Sequence, residues 1–292
     1  MQHLESIPAL RAQRREWRDA RRTVGFVPTM GALHEGHLSL VEAARARADV
    51  VCASIFVNPT QFGPNEDLAK YPRDLAADLT KLAAAGCDAV FTTTPEEMYP
   101  PGFSTWVTVE GLTASLCGAA RPDHFRGVTT VVTKLLNIVQ PEHAFFGQKD
   151  RQQLVVLTRM VRDLDLPVEV HGCPIVREPD GLARSSRNAY LSPEERTRAL
   201  ALSTGLRRAR AAFAGGERRV RALEALVREE LERADARVDY VQAVDPERLA
   251  PLEQADAGTI LAVAAHVGRT RLIDNHVLGE LFPAAADPGP VP

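Results

Sequence analysis

The chain has 292 residues, 45% hydrophobic and 25% charged, with a formal net charge of −3. That length and composition suit a globular protein with one large or two moderate domains. The near-neutral balance lacks the basic footprint of a nucleic-acid binder, so no nucleic-acid partner is expected. No apolar run has the length of a membrane span, and Ile7, Pro8 and the Arg-rich stretch after them do not read as a signal peptide. A cytoplasmic protein without a membrane partner is the expectation. Cys52, Cys87, Cys117 and Cys173 are far apart, without metal-ligand spacing, and read as reduced, buried thiols.

The first half reads as alternating strands and helices. Strands are predicted at Thr23–Val27, Val50–Val57, Asp88–Thr92, His143–Phe146 and Val168–Val176. Helices are predicted at Leu38–Ala48, Arg73–Ala85 with Gly86 as C-cap, Gly127–Val139 and Asp150–Leu164. This alternation predicts an α/β fold, a Rossmann-like doubly wound parallel sheet with right-handed crossovers. After the turn-rich Arg177–Gly181, two helices (Pro193–Phe213 and Glu217–Ala234) precede strand-like runs at Val238–Val244, Thr259–Ala265 and Arg271–Val277. Ser192, Pro193 and Glu195 form a helix-start signature. The expected organisation is a first domain over 1–176, a smaller C-terminal α+β domain over 177–283, and a Pro/Ala-rich disordered tail over 284–292.

The most informative stretch is Pro28-Thr29-Met30-Gly31-Ala32-Leu33-His34-Glu35-Gly36-His37, where a strand hands over to a helix. Two imidazoles three residues apart on a first helical turn can point the same way. Gly36 permits close backbone approach, and a helix start favours an anion. The pattern suggests a phosphate site with two polarising imidazoles; half of a metal site is the alternative, although no Cys or His partner gives zinc spacing.

Further polar clusters sit at strand ends. Asn58 and Gln61 follow the second strand and can hold a small polar substrate. Gly147, Gln148, Lys149 and Asp150 follow another; Lys149 offers a point charge for phosphate, Asp150 suits a helix cap, and Gln153 faces the site one turn on. Arg184-Ser185-Ser186-Arg187-Asn188 groups hydroxyls and guanidiniums suited to a polyphosphate. Arg121, His124 and Arg126 form a basic loop that can add phosphate contacts. A P-loop and a Gly-x-Gly-x-x-Gly turn are both missing, which excludes the common NTPase and dinucleotide readings.

In this order, the segments 28–37, Phe56–Gly63, Tyr71-Pro72-Arg73, Phe145–Asp150 with Gln153, and Ser185–Asn188 resemble the pantothenate synthetase (pantoate–β-alanine ligase) family. His-x-Gly-His alone marks a broader nucleotidyltransferase superfamily, and the full set is far more specific. The resemblance implies ATP- and Mg²⁺-dependent condensation of pantoate with β-alanine through a pantoyl-adenylate, with release of AMP and pyrophosphate. It also implies a Rossmann-like N-terminal domain, a C-terminal lid and a homodimer. On its motifs, Met30, Gly31, Ala32, Leu33, His34, Glu35, Gly36 and His37 cradle ATP, as do Gly147, Gln148, Lys149 and Asp150. The backbone of Val176 meets adenine, and Arg184, Ser185, Ser186 and Arg187 close over the triphosphate. Gln61, Gln153 and Asn58 bind pantoate, with Gln61 also near β-alanine. His37, His34, Lys149, Ser185 and Arg187 are the catalytic candidates, and Asp78 resembles a Mg²⁺ position. Two departures stand out: Arg184 occupies a place usually apolar, and Gln148 one often held by Glu. The rival readings are another His-x-Gly-His adenylyltransferase, an aminoacyl-tRNA synthetase, and a non-catalytic nucleotide-binding module.

Overall fold

Val24–Thr29 (β2) and Val50–Ile55 (β3) are buried at nearly every position, as strands covered by helices on both faces must be. They lie at the centre of a six-stranded, wholly parallel sheet in the computed structural model, which describes residues 1–64, 66 and 68–282. The other strands are β1 (Gln2–Leu4), β4 (Ala89–Thr92), β5 (His143–Gly147) and β6 (Glu169–Cys173), in the order β1-β4-β3-β2-β5-β6. Chain order reverses between β2 and β5, so the crevice past their carboxyl ends is where a ligand is expected. The surrounding helices are α1 (Ile7–Asp19), α2 (Glu35–Arg45), α3 (Leu75–Ala84), α4 (Pro95–Met98), α6 (His124–Val139) and α7 (Arg151–Asp163). This doubly wound architecture is the predicted one. The expected tail, 284–292, lies outside the described residues.

The chain clusters into two compact units. The first is 1–110, 121–148 and 153–174; the second is 111–120, 149–152 and 175 onward. Two short pieces from the first half therefore group with the second unit. They are the segment carrying α5 (Leu116–Ala120), and Lys149–Gln152. The second unit builds an antiparallel meander from β7 (Arg237–Val244), β8 (Ile260–Val267) and β9 (Thr270–Val277). Against it pack α8 (Pro193–Ala214) and α9 (Val220–Arg233), burying Leu202, Leu206, Leu223, Val227 and Leu231 with Val241, Leu261 and Val263. The predicted start of α8 is present: Ser192 Oγ accepts from the Glu195 N–H, and Glu195 accepts from the Ser192 N–H. Gly205 has a packing reason, since a Cβ there would sit 2.9 Å from Val227 Cα.

Several boundaries differ from expectation for local reasons. The strand expected to run to Val176 stops at Cys173, before Pro174. Helix α2 starts at Glu35 rather than Leu38, because His34 caps it. Strand β1 was not foreseen; three residues carry no periodicity, and it is defined only by parallel pairing to β4.

Candidate active site

In the first unit the 30–37 segment is built as a cap. His34 has extended backbone and serves as N-cap of α2; its Nδ1 accepts from the Gly36 N–H at 3.2 Å. His37, three residues on, accepts the His34 N–H at its own Nδ1, at 3.3 Å. The two rings lie 4.1 Å apart. This is a capping box with imidazoles in place of the usual hydroxyl and carboxylate. It fixes the chemistry of both rings. A ring nitrogen that accepts a hydrogen bond carries a lone pair, so each neutral ring holds its proton on Nε2. The site therefore has two Nε2–H donors at a helix N-terminus, where the backbone dipole also favours an anion.

The turn leading to that cap takes an unusual path. Gly31 and Ala32 both have left-handed backbone, φ 84° and 51°. Helix α3 holds the turn in place. Asp78, only 2% exposed, accepts the Ala32 N–H at Oδ2 and the Leu33 N–H at Oδ1, both at 2.8 Å. Lys81, one turn further along α3, donates to the Leu33 carbonyl at 2.7 Å. Thr29 completes the anchor: its Oγ1 accepts from the Gly31 N–H and donates to the Ser54 carbonyl on β3. Asp78 does not fit the Mg²⁺ role the resemblance implies. Both its oxygens already hold buried N–H groups, whereas Mg²⁺ demands octahedral geometry and keeps several waters. Its setting is that of a loop anchor.

The structure brings Met30, Asn58 and Gln61 together. The Gln61 amide donates to Met30 Sδ at 3.1 Å and accepts from Asn58 Nδ2 at 3.0 Å. Asn58 is buried, and its orientation is set from behind. Tyr99 Oη donates to Asn58 Oδ1 at 2.8 Å, while Asn58 Nδ2 also donates to the Gly127 carbonyl. Burial pushes the Tyr99 phenol above its ordinary value, with the Thr60 hydrogen bond opposing, so Tyr99 keeps its proton and acts as donor. Gly127 lets α6 press against this loop, since a Cβ would lie 2.4 Å from the Thr60 carbonyl oxygen. Just before α6, Arg121 serves the same segment, pairing with Glu66 and donating to the Gln61 carbonyl, while Arg126 in the first turn of α6 stacks on Trp106. Arg121 thereby supports the Gln61 loop. Tyr99, Lys81 and Trp106 carry no motif in the sequence that marks them, and Gly127 is legible there only as a helix start, its packing role against Thr60 depending on a distant partner. At the end of β5, a Cβ on Gly147 would meet open space, as a position approached by a ligand requires. Gln148 bonds the Gly172 carbonyl, and Gln153 is half-buried on α7.

In the second unit, Lys149 and Asp150 lie in a short 3-10 turn before α7, Lys149 Nζ 3.8 Å from the Asp150 carboxylate. Asn275 on β9 donates to the Lys149 carbonyl at 2.9 Å. Gln152 is structural: it accepts the Cys117 N–H and donates to the Leu112 and Ser115 carbonyls. The 175–188 loop is pinned at its base by a buried bidentate pair, Arg177 with Asp274, at 2.7 and 3.0 Å. The Val176 carbonyl accepts the Arg184 N–H. Arg184, the departure noted above, turns its guanidinium to Glu178 at 3.1 Å. Glu178 also takes Arg196 and Asn188. Desolvation raises its pKa, but hydrogen bonds from Asn188, Arg196 and Arg184 outweigh that and hold it below the ordinary value. Ser185 caps the short turn Ser186–Tyr190 through the Arg187 N–H.

A sequence model described as pantoate-beta-alanine ligase matches residues 2–277. A pantothenate synthetase from Thermotoga neapolitana is 57% identical over 281 residues, covering 96% of this chain and 100% of the relative. The crystal structure of pantothenate synthetase from Thermus thermophilus superposes with a TM-score of 0.90 at 50% identity, covering 95% and 99% of the two chains. That of pantoate-beta-alanine ligase from Francisella tularensis, complexed with beta-gamma ATP and beta-alanine, has a TM-score of 0.81 at 32% identity, covering 97% and 100%.

Proposed function

The chain belongs to the pantoate–β-alanine ligase family of ATP-dependent carbon–nitrogen ligases, and from that premise we propose how its own residues divide the two half-reactions. In the first, the pantoate carboxylate attacks the α-phosphorus of ATP and pyrophosphate leaves, giving pantoyl-adenylate. Pantoate's carboxylate is ionised at neutral pH and needs no base. The demand on the protein is alignment of two anions and stabilisation of charge growing on phosphoryl oxygens.

The observation that carries this reading is the imidazole capping box. It commits His34 and His37 to Nε2–H donation, the form suited to binding phosphate oxygens without taking a proton from solvent. Donors fixed before the reaction do not have to reorganise as charge develops. Lys149, Ser185 and Arg187 are assigned to the phosphates as well, on the motifs at 147–150 and 185–188. Gly147, Gln148 and Asp150 accompany Lys149 in binding ATP, and the Val176 backbone meets adenine. Asn58, Gln61 and Gln153 bind pantoate, with Gln61 also near β-alanine. In the second half-reaction the neutral β-alanine amine attacks the acyl carbon, the bond from that carbon to the bridging oxygen breaks, AMP leaves with that electron pair, and the proton lost by the nitrogen passes to the AMP phosphate or to water. Mg²⁺ would arrive bound to the triphosphate and offset part of its negative charge. Dimerisation and a cytoplasmic location rest on the family alone; a monomeric mass by light scattering would end the first.

The test is to incubate the protein with ATP and pantoate, with and without β-alanine. AMP and pyrophosphate should form only when pantoate is present, and pantothenate only when β-alanine is added. No AMP with pantoate present would overturn the reading.

A further inference from the structure

The geometry points to a second site with no part in nucleotide chemistry: a zinc-class transition-metal site made by His143, Glu169 and His171. His143 opens β5, while Glu169 and His171 are alternate residues of β6, so their side chains share a face; His143 pairs with Glu169 in register. The three donor atoms converge. His143 Nδ1 lies 3.1 Å from His171 Nε2, and Glu169 Oε2 lies 3.3 and 3.6 Å from the same two nitrogens. Among the described residues this is the one group of three or more such side chains able to hold an ion together. Zinc bonds of about 2.0–2.2 Å at the tetrahedral angle put donors about 3.3–3.6 Å apart; the two carboxylate–imidazole separations fall in that range, and the imidazole pair at 3.1 Å has only to part slightly to take three corners of a tetrahedron. The fourth corner would take water.

The donor set fits as well. Two imidazoles and a carboxylate are ligands zinc accepts, whereas Mg²⁺ and Ca²⁺ prefer oxygen. Stacking of Phe145 on the His171 ring, 4.8 Å between centroids, holds that ring's plane. An imidazole with its ordinary pKa of about 6.5 is mostly neutral at pH 7.5 and offers a lone pair there. Arg47, just past the end of α2, opposes a bound cation; its side chain is exposed, where solvent screens it. The cluster sits at the amino ends of β5 and β6, the end opposite Gly147. A metal there would staple the edge strand β6 to the sheet, a structural rather than catalytic task. Without metal, the same contacts amount to a histidine–histidine hydrogen bond beside a carboxylate.

The experiment strips the full-length protein with a chelator and titrates Zn²⁺ against a chromophoric chelator at pH 7.5. His143→Gln, Glu169→Gln and His171→Gln are measured beside it, with His37→Asn as control. The expected result is one zinc per chain, weakened at least about tenfold in each of the three variants and unchanged in the control. Cobalt should give tetrahedral visible absorption in the wild type and lose it in the variants. Glu169 is mostly exposed, so Glu169→Gln decides if either histidine variant misfolds. Absence of stoichiometric zinc binding by the wild type, or zinc affinity unchanged in Glu169→Gln, would overturn the proposal.

Discussion

Replacing Asp78 by Asn separates a loop anchor from a metal ligand. The carboxylate accepts two backbone N–H groups at 2.8 Å, from Ala32 and Leu33. Hydrogen bonds to a charged group contribute about 1.5–3 kcal/mol each. An amide has only one accepting atom, and its NH₂ would face the other N–H, so one bond is lost. The turn should then open at a cost lowered by about 1.5–3 kcal/mol, which is about a ten- to 150-fold increase in its open population. The left-handed backbone at Ala32 adds to this, since that conformation costs a non-glycine residue about 1 kcal/mol and persists only while it is held. Hydrogen exchange should report the change as faster exchange at Ala32 and Leu33. The KM for ATP should rise only as far as the closed form ceases to dominate, because apparent affinity scales with the competent fraction. The Mg²⁺ requirement at saturating ATP should not move. Unchanged exchange at these two amides with a raised Mg²⁺ requirement would refute the anchor and restore the metal ligand.

Four further outcomes follow from the same contacts. His37→Asn keeps an acceptor for the His34 N–H but loses Nε2–H, so α2 should stay intact while single-turnover adenylate formation slows by about 2–4 kcal/mol of barrier; a near-normal rate refutes it. Arg184→Met should change the KM for ATP less than about fivefold, the scale of a partly exposed ion pair worth up to about 1 kcal/mol, because the guanidinium is turned to Glu178; a larger rise would place that charge on the nucleotide. Asp274→Asn strands the buried Arg177 guanidinium and should cost about 3–5 kcal/mol in urea unfolding, with a loss below about 1 kcal/mol refuting the pair's role. Glu178 is held below its ordinary value of 4.5, so its stabilisation is present above that pH and lost as pH falls through the lower folded value. The wild type should therefore lose stability relative to Glu178→Gln on acidification, and a difference constant from pH 7 to 3 would count against it.

What could be read from residues alone follows the reach of each signal. Strands β2 and β3 were legible because a parallel strand buried on both faces is a continuous apolar run. The 28–37 segment was legible because glycine and histidine spacing is local, although the helix was expected only from Leu38, where the apolar pattern begins, and the cap at His34 starts it at Glu35. Strand β1 and the Tyr99–Asn58–Gln61 relay were not legible, since each depends on a partner tens of residues away. Asp78 marks a limit of the resemblance. Its place in the family pattern implies Mg²⁺, whereas the two N–H groups it accepts come from Ala32 and Leu33, 46 and 45 residues away, and no local pattern announces them.

The carboxylates share a physical logic. A loop meant for phosphate must be rich in N–H groups and cations, and before the anion arrives those groups repel one another or lack partners. Asp78 takes up two N–H groups behind the 31–33 turn, and Asp274 and Glu178 take up guanidiniums of the 177–188 loop. Each ties down donors at the base of its loop and so sets the geometry of the loop's remaining groups. The cost is negative charge beneath loops proposed to hold a polyanion. Lys81 on the Leu33 carbonyl and the N-terminus of α2 offset it in the first unit, and Arg196 does so in the second. Preorganised donors are therefore obtained with paired charges at the base of each loop, and the imidazole cap extends the principle to the start of α2. Its hydrogen bonds to the helix backbone leave the rings little freedom to choose another tautomer.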